Sequence, residues 1–241
     1  MNIHILTTTN RADILKQNLN FWQEIGWQTH IEYNDNCLPA LGRNRILKQF
    51  YNSDQEWLCM ADDDTILSNK WGSFAEFIRN PLDVLAQLPK CVSTVIPMNP
   101  IWLRPAVTLK QPIYQTHWRF ERDFTVTGKL VFHRRTSHQF YQRLDLDAWE
   151  DAEWAFQQLV VGYHCVRLNN IVLREITGKS SLFLNAQDRN IKYQKSKEKL
   201  IALYPELYSN DAGHFIRKQL VKKYLKYPNR FIDIPYDTTG V

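Results

Sequence analysis

Glycine is scarce in this chain, with eight residues in 241, about half the usual share of roughly 7%. Glycine-rich phosphate loops need several glycines in a fixed pattern, because the backbone itself must approach the phosphates. No G-x-G-x-x-G occurs, and although Gly178-Lys179-Ser180 has the ending of a Walker A loop, the upstream glycine position holds Leu173. A P-loop NTPase and a dinucleotide-binding dehydrogenase are therefore excluded. Any phosphate held here must be met by side chains or a metal ion. Long apolar runs are missing too: none approaches the roughly 18 to 20 residues of a bilayer span. The opening MNIHILTTTN is polar where a signal peptide is apolar, so the chain reads as unexported, cytoplasmic and without an integral membrane segment. The four cysteines (Cys37, Cys59, Cys91, Cys165) form no CxxC or Cys/His cluster and no Asn-x-Ser/Thr site is present. Those absences suit a reducing compartment and exclude structural zinc.

What is there is globular: 44% hydrophobic and 23% charged side chains, at a length that suits one large domain or one plus a small appendage. The net charge of +5 is unevenly spread. Residues 179–231 hold twelve Lys/Arg and four Asp/Glu, a local +8 that leaves −3 elsewhere. Two helical patterns, KYQKSKEKLIALY and HFIRKQLVKKYLKY, carry these lysines between apolar residues and tyrosines. They read equally as solvated helix faces on a core or as a polyanion-binding surface. The expected organisation is a domain over 1–178 and a basic, mainly helical extension over 179–241.

Along the first domain the periodicity predicts strand, loop and helix in repetition. Ile3–Thr8 is a strand, ADILKQNLNFWQEIG a helix capped at Gly26, and Trp27–Tyr33 a second strand. LGRNRILKQFYNS is a second helix, and Glu56–Met60 a buried strand running into Asp62-Asp63-Asp64. Such repetition implies an α/β fold with a mostly parallel sheet and sites at the strands' C-terminal ends, here residues 7–11, 42–45 and 62–64. WGSFAEFIRN reads as a short helix, CVSTVIPM as a strand, and 97–124 as a loop-rich stretch with Trp102, Arg104, Trp118 and Arg119. Gly128–Phe132 is a strand, LDAWEDAEWAFQQLVVG a helix and HCVRLNNIVLREI the closing strands.

Three consecutive carboxylates after a hydrophobic strand repel one another unless a cation or hydrogen-bond donors compensate. A divalent ion with hard oxygen ligands, Mg²⁺ or Mn²⁺, answers that need. A helix cap or solvated turn is the plainer alternative.

In combination these features resemble the GT-A glycosyltransferases of the family-2-like kind, over roughly residues 3–180. The features are the first strand ending Thr7-Thr8-Thr9-Asn10-Arg11, the Gly42-Arg43-Asn44 helix start and the D-x-D of Asp62 and Asp64. The Gly128–Arg134 strand follows, and then Glu150-Asp151 opening a helix that ends at Gly162. The resemblance implies a Rossmann-like GT-A sheet flanked by helices. It places Thr7, Thr8, Asn10, Arg11, Arg43, Asn44, Asp62 and Asp63 on a nucleotide-sugar donor, with a UDP-sugar favoured, and Asp64 with Asp62 on Mn²⁺ or Mg²⁺. Asp151 is then the catalytic base, with Glu150 or Glu153 as substitutes, and inversion is the expected outcome. Many relatives have a further histidine ligand after the closing strand. Arg174 stands there, so Glu175 is the substitute ligand, or Arg174 and Lys179 meet the diphosphate directly.

Trp102, Arg104, Trp118 and Arg119 fall where the resemblance puts the acceptor. The basic extension leans toward DNA, as in bacteriophage enzymes that glycosylate hydroxymethylated pyrimidines, the TET-associated group included. In that case the partner is double-stranded DNA with a flipped modified base, and the compartment is the host cytoplasm. The alternatives are a polysaccharide, lipopolysaccharide or protein acceptor, and, from another class, a non-catalytic binding module.

Overall fold

The computed structural model describes residues 2–35, 38–67, 86–88, 90–95, 117–123, 129–168, 173–176, 186–205, 208–209, 214–215 and 231–235. The chain starts with β1 (Asn2–Thr7), whose alternation turns Ile3 and Ile5 fully inward. A single 3-10 turn (Thr9–Arg11) leads into α1 (Ala12–Glu24). That helix ends as expected at Gly26, left-handed at φ +79°. There Gly26 N–H donates to Gln23 O at 2.9 Å and Trp27 N–H to Trp22 O at 2.9 Å, a closure that glycine permits without strain. Next come β2 (Gln28–Tyr33), α2 (Pro39–Tyr51), β3 (Trp57–Asp62) and β4 (Thr65–Leu67). The later elements are β5 (Cys91–Val95), β6 (His117–Asp123), β7 (Leu130–Arg134), α3 (Glu150–Val160), β8 (His164–Leu168), β9 (Leu173–Glu175), α4 (Ala186–Leu203), β10 (Tyr208–Ser209), β11 (His214–Phe215) and β12 (Phe231–Pro235).

One eight-stranded sheet runs in the order β12-β6-β8-β5-β7-β3-β1-β2. From the pairings, β2, β1, β3, β5, β8 and β12 point one way, and β7 and β6 are reversed. The fold is mixed α/β with a sheet flanked by helices, compatible with a Rossmann-like arrangement, but only the neighbours β1–β2, β1–β3 and β5–β8 are parallel, so the expected mostly parallel pairing is interrupted by the reversed strands β7 and β6. A second, two-stranded sheet pairs β4 antiparallel with β9.

Two other expectations are corrected. The loop-rich stretch 97–124 contains strand β6, inserted between β8 and β12 of the main sheet. Within the C-terminal extension, His214–Phe215 is strand, not helix, and β12 joins the main sheet, so residues on both sides of 178 share it. The expected helix over 71–80, the rest of the second tail helix, Trp102, Arg104 and Lys179 lie outside the described residues. Among the described residues no helix is long and apolar enough to cross a membrane.

The core lies between α2, α3 and the centre of the sheet: Ile46, Leu47 and Phe50 meet Leu58, Met60 and Val131, with Trp154 and Ala155 above. Set among them is a polar group, His133, fully buried, sharing a 2.9 Å hydrogen bond with the Tyr51 hydroxyl and lying 4.7 Å from the Trp154 ring. Burial lowers its pKa to about 3. The unfolded chain takes up this proton below roughly pH 6.5 and the folded chain does not. Stability therefore falls as pH drops from about 6.5 toward 3, by on the order of 1.4 kcal/mol for each unit. Nitrogen-15 NMR is expected to show the His133 ring neutral down to about pH 4; a ring that protonates near its ordinary value contradicts this packing.

Candidate functional site

The C-terminal ends of the parallel strands β1 and β3 bring the expected residues together. The turn after β3 is pinned from four sides. Asp63 N–H donates to Leu6 O at 3.0 Å, Asp62 N–H to Lys129 O at 3.0 Å and Ile176 N–H to Asp64 O at 2.6 Å. From α1 the fully buried Asn18 donates to Thr65 O at 2.7 Å. Three acidic side chains are thus fixed in different directions by a backbone that cannot relax to separate them.

Asp63 points inward and is 2% exposed. Burial pushes its pKa up to about 6, although Thr7 Oγ1, donating at 2.6 Å, and Arg11, at 3.1 Å, pull the other way. Asp64 is shifted downward, because Lys129 and Arg11 outweigh its burial. Its Oδ2 takes Arg11 Nη2 at 3.1 Å and its Oδ1 takes Lys129 Nζ at 2.9 Å. Asp62 Oδ1 accepts from Arg43 Nη2 at 2.9 Å, and Arg43 Nη1 donates to Glu150 Oε1 at 2.9 Å. Arg43, only 7% exposed, therefore ties the acidic turn to the first residue of α3. Burial opposes its charge, and Asp62 and Glu150 more than restore it, with Asp151 adding to the effect.

Arg43 reaches this place because α2 packs tightly on β1. A Cβ on Gly42 would stand 2.4 Å from Leu6 Cδ1 and 3.0 Å from Asn34 Cβ, so glycine allows the approach that delivers the next side chain. The chain enters α3 through Trp149, left-handed at φ 64°, a conformation costly for a bulky residue and tolerated where the surroundings over-determine it. Asp151 is half-buried and takes Ala152 N–H at 2.7 Å.

Other expected residues have different duties. Asn44 uses both ends of its amide on the Gln142 backbone, donating to O at 2.7 Å and accepting from N–H at 2.8 Å, which clamps α2 to the segment before α3. Glu153 is not placed to replace Asp151: Tyr204 and Gln157 donate to its two oxygens at 2.7 Å each. Burial raises its pKa, and Tyr204 makes it an anchor for the end of α4. Thr8 Oγ1 donates to Asn10 at 2.6 Å, shaping the loop after β1. Arg174, Trp118 and Arg119 are described in backbone only, Arg174 in β9 opposite Ile66 and the other two in β6.

The expected ligand set of Asp62, Asp64 and Glu175 does converge, but on a lysine. Lys129 precedes β7, whose antiparallel pairing sets Leu130 opposite Ala61 and so puts Lys129 beside Asp62. The β4–β9 pairing sets Glu175 opposite Thr65. Lys129 Nζ lies 2.9 Å from Asp64 Oδ1, 3.0 Å from Glu175 Oε1 and 3.8 Å from Asp62 Oδ2. Burial opposes its charge, and Asp62 and Asp64 hold it cationic well above the usual lysine range. Among the described residues no three His, Cys, Asp or Glu side chains are arranged to hold a metal ion. The donor chemistry suits Mn²⁺ or Mg²⁺, but the position does not fit one while Lys129 stands in it.

No family model matches the chain, and no curated protein matches it. Among solved structures, A197 from STIV aligns with 73% of this chain and 86% of that one at 9% identity, with a TM-score of 0.43. A glycosyltransferase involved in the glycosylation of the major capsid of PBCV-1 aligns with 40% of this chain and half of that one. Its identity is 15% and its TM-score 0.29. Both likenesses are distant, and a functional reading rests on the side chains at the ends of β1 and β3.

Proposed function

We propose that the chain is a GT-A-type glycosyltransferase, moving a sugar from a nucleotide sugar, with UDP-sugars favoured, to an acceptor hydroxyl. One observation carries this reading: Arg43 bridges Asp62 and Glu150 at 2.9 Å each. That bridge joins a nucleotide-type platform at the strand ends to a helix start bearing a further carboxylate, Asp151. Glu150 is committed to Arg43, and the half-buried Asp151 beside it is assigned as the base. Its carboxylate would take the proton of the acceptor hydroxyl as the oxygen attacks the anomeric carbon from the side opposite the leaving diphosphate, giving inversion. Asn10, Arg11 and Asp62 would hold the nucleotide, while Thr7, buried with its hydroxyl on Asp63, supports the turn beneath them.

Five carboxylates (Asp62, Asp63, Asp64, Glu150, Glu175) face three cations (Arg11, Arg43, Lys129). The cluster alone does not attract a diphosphate, so Arg174 and Lys179 are assigned to it as further cations. For the acceptor we favour a hydroxymethylated pyrimidine in duplex DNA, on the +8 balance of residues 179–231. In calorimetry, UDP is expected to bind in the micromolar range and Asp62→Ala to lose most of that affinity. Equal binding by the variant would remove the acidic turn from the donor site.

A further inference from the structure

We propose that Lys129 is the resident cation of the acidic turn, standing where Asp62, Asp64 and Glu175 would otherwise gather a divalent ion. The ammonium is no incidental surface pairing. Two strand registers, β3 with β7 and β4 with β9, bring Lys129 and Glu175 to the same point from separate parts of the chain. Both oxygens of Asp64 are taken, one by Lys129 and one by Arg11, and one oxygen of Asp62 is taken by Arg43.

A divalent ion holds carboxylate oxygens at about 2.0–2.6 Å. To reach that distance from Asp64 Oδ1 and Glu175 Oε1 it must enter the volume filled by Nζ, which contacts them at 2.9 and 3.0 Å. Two cations at one half-buried point repel strongly. A tethered ammonium also differs from an ion in kind, because no chelator removes it and no ion concentration tunes it. The consequence for donor binding rests on the glycosyltransferase reading: UDP affinity is then the same in EDTA and in Mn²⁺. The competition between Lys129 and an ion does not rest on that reading.

Manganese binding, followed by the loss of free Mn²⁺ signal in electron paramagnetic resonance, tests the proposal on the full chain with and without UDP. The wild-type protein is expected to bind Mn²⁺ no tighter than the millimolar range in either case. Lys129→Met is expected to bind it about tenfold or more tighter, and Lys129→Arg, which keeps the charge, to behave like wild type. Micromolar Mn²⁺ binding by the wild-type protein, alone or with UDP, overturns the proposal even if Lys129→Met fails to fold. So does equal binding by wild type and a folded Lys129→Met. UDP binding is read on the same samples. Its absence with and without Mn²⁺ would contradict the glycosyltransferase reading, and the manganese titration would still decide the role of Lys129.

Discussion

Replacing Arg43 with methionine is expected to cost the fold about 3–5 kcal/mol, the usual penalty for breaking a buried ion pair from one side. The Arg43 side chain is 8% exposed and its two terminal nitrogens meet Asp62 and Glu150 at 2.9 Å each. Methionine fills much of the volume but takes from Glu150 the cation it pairs with and leaves Asp62 only the more distant Lys129, 3.8 Å away. The loss is therefore electrostatic more than steric. For a chain of this size it corresponds to a melting point lower by about 6–20 °C. Arg43→Lys keeps the charge but cannot present two fixed N–H groups to two separated carboxylates, so it should fall between wild type and Arg43→Met. Urea unfolding of the three proteins checks the order. A loss below about 1 kcal/mol for Arg43→Met would mean that the two carboxylates relax into solvent and that the bridge does not organise the site.

The second large effect is kinetic. Asp151→Asn is expected to lower sugar transfer by about 10²–10⁴-fold, the range for removing a general base, while nucleotide affinity stays near wild type. Asparagine keeps the shape and can still accept from Ala152 N–H, while the carboxylate's charge and its capacity to take a proton are removed. Glu150→Gln should behave differently: it weakens the Arg43 bridge and so lowers stability as well as transfer. Single-turnover kinetics beside calorimetry separate the two. Matched losses of nucleotide binding and transfer in Asp151→Asn would move Asp151 from the chemistry to the donor platform.

The strand-loop-helix order of the N-terminal half was legible because each element announces itself locally. The short apolar, β-favouring run of β1, apolar helical spacing in α1 and glycine at the α1 end are short-range signals, and the structure places all three where the sequence does. The meeting of residues 7–11, 43 and 62–64 also followed, since parallel strands put their C-terminal ends on one edge. What escaped depends on pairing across long separations. Lys129 was visible only as the second residue of the strand expected over Gly128–Phe132; its place among Asp62, Asp64 and Glu175 is set by an antiparallel register that no local pattern encodes. Asn18 looked like one polar residue on an amphipathic helix, and nothing nearby in sequence shows that it holds the Thr65 carbonyl. Asp35, which accepts from Thr9 N–H at 2.7 Å and so closes the loop after β1, was hidden for the same reason. Glu153 misled in the other direction. Acidic residues in a first helical turn suit the helix dipole whether or not they do chemistry, and only the contacts of Tyr204 and Gln157 distinguish it from Asp151.

The central claim is that this strand-end site cleaves a nucleotide sugar. The direct measurement is release of nucleoside diphosphate from a panel of nucleotide sugars, comparing wild type with Asp151→Asn. Parallel samples contain hydroxymethylcytosine DNA, unmodified DNA or no acceptor, each in Mn²⁺ and in EDTA. The predicted result is release by wild type from one class of donor, stimulated by the modified DNA, equal in Mn²⁺ and EDTA and nearly abolished in Asp151→Asn. Release indifferent to DNA would keep the glycosyl-transfer claim and transfer the search to glycan, lipid and protein acceptors. No release from any donor, or equal release by wild type and Asp151→Asn, would contradict the claim.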